Sequence, residues 1–81
     1  MYYFDIIAER DLFGRNASYF VYNLNQAIPY DAVYIEKDNR RVNAKSILGI
    51  LSIGVLKGDS LKVYTDGKYK DIINNILNDI E

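Results

Sequence analysis

Residue 46 carries the side chain of this sequence that is best placed for chemistry. Ser46 stands directly before an apolar stretch that ends at Val55. A serine at the start of a helix accepts a hydrogen bond from an early backbone N–H, which stabilises the helix by about 0.5–2 kcal/mol. A phosphate on the same hydroxyl would bring a charge of about −1.5 to −2 to the positive end of that helix. The sequence therefore predicts a helix cap at Ser46, at a position where a phosphate would be tolerated and would change the surface charge.

Other chemistry finds little support in the composition. The 81 residues contain no histidine and no cysteine. Disulfides and thiolate metal sites are excluded, and no pair of nucleophile and base can be assembled from these residue types. The glycines do not form a phosphate-binding loop, and no two carboxylates stand at a distinctive spacing. We therefore expect no enzymatic activity, no metal ion and no cofactor.

The length and charge describe one small, nearly neutral domain over 1–81. Ten lysines and arginines balance eleven acids, for a net charge of −1, which lacks the basic excess of a nucleic-acid-binding domain. The densest basic spot, Arg40-Arg41, is typical of a solvated hairpin edge rather than a phosphate contact. The longest apolar run, 47–56, is far shorter than the ~20 residues that span a bilayer, and the N-terminus does not resemble a signal peptide. We expect a cytoplasmic protein that binds neither nucleic acid nor membrane.

Hydrophobic spacing predicts the element order β-α-β-β-α-β-α. The predicted strands cover 2–8, 32–37, 40–44 and 61–65, and the predicted helices cover 16–27, 46–53 and 69–80. Asp38-Asn39 supplies a tight turn between the second and third strands, and Pro29 ends the first helix. Gly14 or Asn16 is the expected N-cap of that first helix. Alternating strands and one-sided helices favour an α+β fold, an open-faced sandwich in which three helices cover one face of a four-stranded antiparallel sheet.

This order and two sequence segments resemble the HPr (histidine-containing phosphocarrier protein) family of the bacterial sugar phosphotransferase system, over essentially the whole chain. Residues 42–55, Val-Asn-Ala-Lys-Ser-Ile-Leu-Gly-Ile-Leu-Ser-Ile-Gly-Val, are similar to the family's regulatory-serine signature nearly position for position. The family's active-centre motif is Gly-(Ile/Leu)-His-Ala-Arg-Pro-Ala, whereas residues 11–17 are Asp-Leu-Phe-Gly-Arg-Asn-Ala. Phe13 therefore holds the histidine position, Arg15 keeps the arginine, and Asn16 replaces the proline. A phenyl ring has no lone pair that could take a phosphoryl group, so phosphohistidine transfer is chemically excluded.

The resemblance implies a regulatory role like that of histidine-lacking HPr-like proteins in catabolite repression. Those proteins are phosphorylated on the regulatory serine by HPr kinase/phosphorylase and then bind a LacI-type repressor. On this basis Ser46 is the expected regulatory phosphorylation site. The expected partner-binding residues are Arg15, Phe13, Lys45, Ile47, Leu48 and Leu51. Ile50 and Ile53 are expected to face the core, with packing of all five apolar residues inside as the alternative.

A second interpretation stays open beside the switch. In it the chain is a degenerate HPr domain that binds its partners constitutively, and Ser46 is only a helix cap. The tyrosines raise a separate question, because eight are many for 81 residues. Tyr3, Tyr34 and Tyr64 fall on the outer faces of their strands, where paired aromatic rings stabilise a sheet. We expect that role for them, with association through this face as the alternative.

Overall fold

The computed structural model describes residues 3–78, and its elements follow the predicted order. The strands are β1 (Tyr3–Ile7), β2 (Tyr34–Lys37), β3 (Arg40–Asn43) and β4 (Ser60–Tyr64). The helices are α1 (Gly14–Ala27), α2 (Ile47–Ile53) and α3 (Lys70–Asn78), with a 3-10 turn at Gly67–Tyr69 before α3. Tyr2 and the predicted helix residues 79–80 lie outside the described range. The predicted α+β class is confirmed.

The four strands form one antiparallel sheet in the order β1-β4-β2-β3. Tyr64 of β4 lies opposite Tyr3 of β1 on one side and Tyr34 of β2 on the other. The turn between β2 and β3 is the predicted pair, Asp38 and Asn39, with φ of 52° and 65°. Two consecutive left-handed residues match the twist of a hairpin, and Asp and Asn tolerate that conformation better than most residues.

The core lies between one face of the sheet and the three helices. Phe20 and Leu24 of α1, Ile50 of α2, and Ile73 and Leu77 of α3 are all fully or almost fully buried. The inward strand residues that they meet are Phe4, Ile6, Ile35, Leu61 and Val63. Alternation along each strand leaves its other face uncovered by helices, as an open-faced sandwich requires. Within residues 3–78, no helix is long and apolar enough to cross a membrane.

Helix α1 begins differently from the prediction. Its N-cap is Phe13, which has an extended backbone and offers no side-chain hydrogen bond. The Phe13 carbonyl already accepts a bond from the Asn16 N–H at 3.1 Å, so Asn16 lies inside the first turn. The Asn16 amide instead donates to the Asp11 carbonyl at 3.0 Å and holds the preceding loop against the helix. The assignment of the cap to Gly14 or Asn16 was therefore wrong, whereas α1 does end before Pro29 as predicted.

Strand β2 begins at Tyr34, two residues later than predicted. Ala32 uses its carbonyl to accept a hydrogen bond from the Thr65 hydroxyl at 2.9 Å. The Val33 carbonyl accepts the Ala44 N–H at 2.9 Å, so pairing continues briefly before the strand proper begins at Tyr34. The predicted ends of β3 and β4 differ from the observed ones by one residue each.

Candidate functional site

Ser46 caps α2 as the sequence predicts. Its backbone is extended, with φ −108° and ψ 122°, and its Oγ accepts the Gly49 N–H at 3.2 Å. The residue is half-buried, so the hydroxyl is in use but not sealed inside the protein. The first turn of α2 contains no acidic side chain. The positive end of the helix dipole at Ser46 is therefore not neutralised by α2 itself.

A tight turn after β3 sets the position of this cap. The Asn43 side-chain oxygen accepts the Lys45 N–H at 2.9 Å, and the Asn43 carbonyl accepts the Ser46 N–H at 3.1 Å. Helix α2 then passes so close to the end of β3 that a β-carbon at Gly49 would lie 2.9 Å from the Asn43 carbonyl oxygen. Contacts below 3.0 Å force a shift, so the absence of a side chain at Gly49 allows this approach.

Asn25 also supports the turn, and the sequence analysis assigned it no role. Its side-chain amide donates to the carbonyl of Lys45 at 3.1 Å and to the carbonyl of Val21, one turn earlier on α1, at 2.9 Å. Asn25 thereby joins α1 to the residue before Ser46. The sequence shows only that a polar residue, Asn25, lies one turn after Val21. The residue that it binds on the other side, Lys45, is twenty positions away in the sequence.

The other end of α2 is held by two cationic side chains. The Lys37 ammonium donates to the Gly54 carbonyl at 2.6 Å, and the Arg40 guanidinium donates to the Ser52 carbonyl at 3.0 Å. Gly54, with φ 62°, ends the helix in the left-handed conformation that glycine adopts without strain. Cations beside the last carbonyls of a helix oppose the negative end of its dipole.

Lys37 also forms a salt bridge with Asp59, with 2.8 Å between the ammonium nitrogen and a carboxylate oxygen. Hydrogen bonds from Lys37 and from the Leu56 N–H lower the pKa of the Asp59 carboxyl below its ordinary value. The loop before β4 is thereby attached to the same lysine that binds the end of α2.

Arg40 and Arg41 lie at an exposed hairpin edge, as predicted, and the structure also gives them partners. Both arginines are exposed, but both have partners. Arg40 binds the end of α2 through the Ser52 carbonyl. Arg41 lies 3.7 Å from the centre of the Tyr64 ring and 3.5 Å from a Glu36 carboxylate oxygen. Glu36 lies opposite Arg41 within the hairpin, whereas Ser52 and Tyr64 lie on other elements, so the hairpin sequence alone could not reveal those two partners.

The apolar surface of α2 is divided between solvent and core. Leu48 is 76% exposed and Leu51 is 39% exposed, whereas Ile50 and Ile53 are buried, as expected for all four. Ile47 is half-buried and packs against the core, so its assignment to the exposed side is largely wrong. The reason is the helical repeat, because Ile47 and Ile50 are three residues apart and share a face.

Phe13 joins this surface from the loop before α1. The Leu12 N–H donates to the Val55 carbonyl at 2.9 Å and so holds that loop at the C-terminal end of α2. The Phe13 ring is 45% exposed, and its Cζ lies 4.0 Å from where a β-carbon at Gly54 would stand. We call the exposed residues Phe13, Leu48 and Leu51 the α2 surface.

The two predicted cations lie on different parts of the chain. Lys45 is half-buried beside Ser46, and Arg15 is exposed in the first turn of α1. No hydrogen bond or ion pair joins either side chain to another of residues 3–78. Ser46 and Phe13 stand at opposite ends of α2, which is about 10 Å long for seven residues. The structure therefore brings Ser46 and Phe13 to the two ends of α2 but places Arg15 on α1, and the predicted residues do not meet at one point.

Comparison with known proteins gives consistent relatives in sequence and structure. The family described as "PTS HPr component phosphorylation site" matches residues 3–80. The HPr-like protein Crh of Halalkalibacterium halodurans is 38% identical over 54 residues, and that of Bacillus subtilis is 37% identical over 55 residues. These matches cover 67% and 68% of this chain but only 62% of each relative. The phosphocarrier protein HPr from Bacillus anthracis superposes with a TM-score of 0.81 at 26% identity, covering 95% of this chain and 96% of that one.

Proposed function

The chain belongs to the PTS HPr component family, and on that premise we propose that it is a regulatory protein of the bacterial carbon catabolite system, switched by phosphorylation of Ser46. In this proposal it has no enzymatic activity and acts by binding other proteins through the α2 surface. The observation that carries the proposal is the position of the Ser46 hydroxyl. It is a half-buried cap at a helix end that has no acid in its first turn, and it is followed by the highly exposed Leu48.

A phosphate at this position suits both the fold and a change of partner. The modified oxygen would stay beside the N–H groups of the first turn of α2, where a charge of about −1.5 to −2 is favourable. The net charge of the chain would move from −1 to about −3, with the new charge placed next to the α2 surface. A partner that combines an apolar contact for Leu48 with basic residues around it would then bind the modified form more tightly.

The same family membership does not extend to the transfer of phosphoryl groups through histidine. The 81 residues hold no histidine, and Phe13 occupies the position of the family's active-centre histidine. Its exposed ring adds apolar area near Gly54, at the C-terminal end of α2, instead of a nitrogen acceptor. We propose that a donor that phosphorylates the family's active-centre histidine transfers no phosphoryl group to residue 13 of this chain.

A constitutive interaction module is the second candidate, and one observation favours it. The Ser46 hydroxyl already has a structural task, because it accepts the Gly49 N–H at 3.2 Å. In this second reading the α2 surface binds its partner regardless of modification. For the phosphorylation switch, by contrast, the proposed partners are HPr kinase/phosphorylase and a LacI-type repressor.

Incubation with HPr kinase/phosphorylase and ATP, followed by intact mass spectrometry, tests the switch. We expect the addition of one phosphoryl group, and no addition to Ser46→Ala. Ser52→Ala is the matched control, because Ser52 lies on the same helix but donates its hydroxyl to the Gly49 carbonyl at 2.7 Å and is exposed. An unmodified wild type, or a phosphate that survives in Ser46→Ala, would remove the switch and leave the constitutive module.

Calorimetry with a LacI-type repressor distinguishes the two candidates further. The switch predicts at least tenfold tighter binding by the phosphorylated protein, whereas the constitutive module predicts equal binding. Leu48→Lys should weaken either interaction, because it places a charge at the centre of the apolar contact. Leu56→Lys makes the same change at another exposed leucine outside α2 and serves as its control.

A further inference from the structure

The face of the sheet that the helices leave uncovered has two ordered rows of side chains. The strand register aligns four charged residues across the sheet, and their signs alternate. In spatial order this row is Asp5, Lys62, Glu36 and Arg41. The neighbouring row runs in the same strand order. Its members are Tyr3, Tyr64, Tyr34 and Asn43. The row of charges is therefore neutral as a whole and flanked by three aromatic rings.

Contacts within the chain hold much of this face in place. The Tyr3 and Tyr64 ring centroids are 5.5 Å apart, and the Lys62 ammonium lies 5.2 Å from the centre of the Tyr3 ring. Arg41 stacks on Tyr64 at 3.7 Å. No ion pair involves Asp5 or Lys62 among the residues that the structure describes. The row thus presents charges of both signs; Asp5 and Lys62 have no salt-bridge partner among the described residues, and the Arg41 guanidinium reaches across β2 to the Tyr64 ring of β4.

We propose that this face binds a second copy of the chain about a two-fold axis that runs parallel to the strands, between β4 and β2. Such an axis places β1 of one copy over β3 of the other, and β4 over β2. By strand position Asp5 then opposes Arg41, and Lys62 opposes Glu36, so all four positions of the row meet a residue of opposite charge. In the second row, Tyr64 opposes Tyr34 and Tyr3 opposes Asn43. One patch that is complementary to itself is what a two-fold interface needs.

Other arrangements of the same two faces are opposed by charge. An in-plane axis perpendicular to the strands and running along the row of charges places each member of the row over its own copy, so that like charges meet at every position. An axis along β4 places Lys62 over Lys62 and Asp5 over Glu36. Like charges brought together in this way suppress wrong arrangements. A single-stranded nucleic acid, which could also stack on tyrosines, would gain no net attraction from a row with two acids and two bases.

The small size of the face makes the expected dimer weak. Four strands about 4.8 Å apart and up to five residues long give a face of roughly 15 by 17 Å. This lies well below the ~800 Å² per partner of a standard interface. We therefore expect rapid, reversible association with a Kd of about 0.1–1 mM, which high salt weakens.

Sedimentation velocity and two-dimensional NMR from about 10 μM to about 1 mM test the proposal. We expect the sedimentation coefficient to rise with concentration, and the amide shifts that change to fall on the two rows. Lys62→Glu and Glu36→Lys should each weaken self-association at least tenfold, because each reversal creates two like-charge pairs in the symmetric dimer. An equimolar mixture of the two variants should associate again, since the reversed side chains of the two copies then face each other. Lys70→Glu makes the same charge change on α3, away from the sheet, and should leave association unchanged.

Circular dichroism and NMR spectra of each variant establish that it is folded before association is measured. The proposal fails if the wild type stays monomeric at about 1 mM, or if the mixture of variants does not associate. It also fails if the concentration-dependent shifts fall on α1 or α2, or if a dimer persists on dilution, as an exchange of β1 between copies would produce. Shifts of the tyrosine row that appear only on adding a short oligothymidylate would assign the face to nucleic acid instead.

Discussion

Replacing Gly49 by alanine measures how closely α2 must approach β3. The new β-carbon would lie 2.9 Å from the Asn43 carbonyl oxygen and 3.3 Å from the Val42 Cβ. That carbonyl also accepts the Ser46 N–H at 3.1 Å, so it cannot retreat without weakening the turn that positions the cap. The first contact is with backbone, which gives way less readily than the end of a flexible side chain.

Two opposing terms decide the magnitude for Gly49→Ala. Alanine is better than glycine in a helix by about 1 kcal/mol, whereas overpacking costs about 1–3 kcal/mol. Because the clash is with a hydrogen-bonded carbonyl, we place its cost in the upper part of that range and expect a net loss of about 1–2 kcal/mol. For a domain of this size each kcal/mol lowers the melting temperature by about 4–8 °C.

Urea unfolding followed by circular dichroism gives the free energy directly. Ser52→Ala is the control on the same helix, because it removes one exposed hydroxyl and should change stability by no more than about 0.5 kcal/mol. If Gly49→Ala proves as stable as the wild type or more stable, helix propensity outweighs the contact. The close approach would then not be the reason for glycine at this position.

Two further predictions concern phosphoryl transfer and acid stability. Enzyme I with phosphoenolpyruvate should leave the wild type unlabelled. Phe13→His should restore little labelling, because Asn16 and the preceding loop also differ from the family motif. Efficient labelling of that single variant would show an otherwise intact active centre. The pKa of Asp59 is lowered in the native state, so its bond to Lys37 stabilises the protein at pH values above the ordinary carboxyl pKa of 3.8. This stabilisation is lost as the pH falls through the lower pKa of the native state. The urea midpoint of the wild type should therefore drop below about pH 4, and Lys37→Met should reduce that drop; an equal acid response in both proteins would contradict the assignment.

Two features that follow from neighbouring residues were predicted correctly, although the N-cap of α1 was not. Ser46 caps α2 because the cap depends on a hydroxyl and an N–H three residues later. The turn at Asp38 and Asn39 likewise depends on two residues that tolerate positive φ. Their outcome was set by local chemistry, which the sequence displays directly.

The parts that depend on distant partners were not predictable in the same way. Whether Ile47 faces solvent is decided by the rotation of a seven-residue helix against the core, which periodicity over so few residues leaves open. Asn25 reaches the Lys45 carbonyl from another helix, and Arg40 reaches the Ser52 carbonyl from a hairpin. The spacing of polar residues along the chain does not encode such bonds.

The two ends of α2 are held by different kinds of interaction, and this decides how phosphorylation of Ser46 would affect the helix. The C-terminal end of α2 accepts hydrogen bonds from the Lys37 ammonium and the Arg40 guanidinium. The N-terminal end, at Ser46, is held by hydrogen bonds between neutral groups. A phosphate added to Ser46 would therefore break no existing ion pair at the N-terminal end of α2. The helix would then keep its position while the charge at its N-terminal end becomes negative. A partner would recognise that change in surface charge, and the protein itself would not need to change conformation.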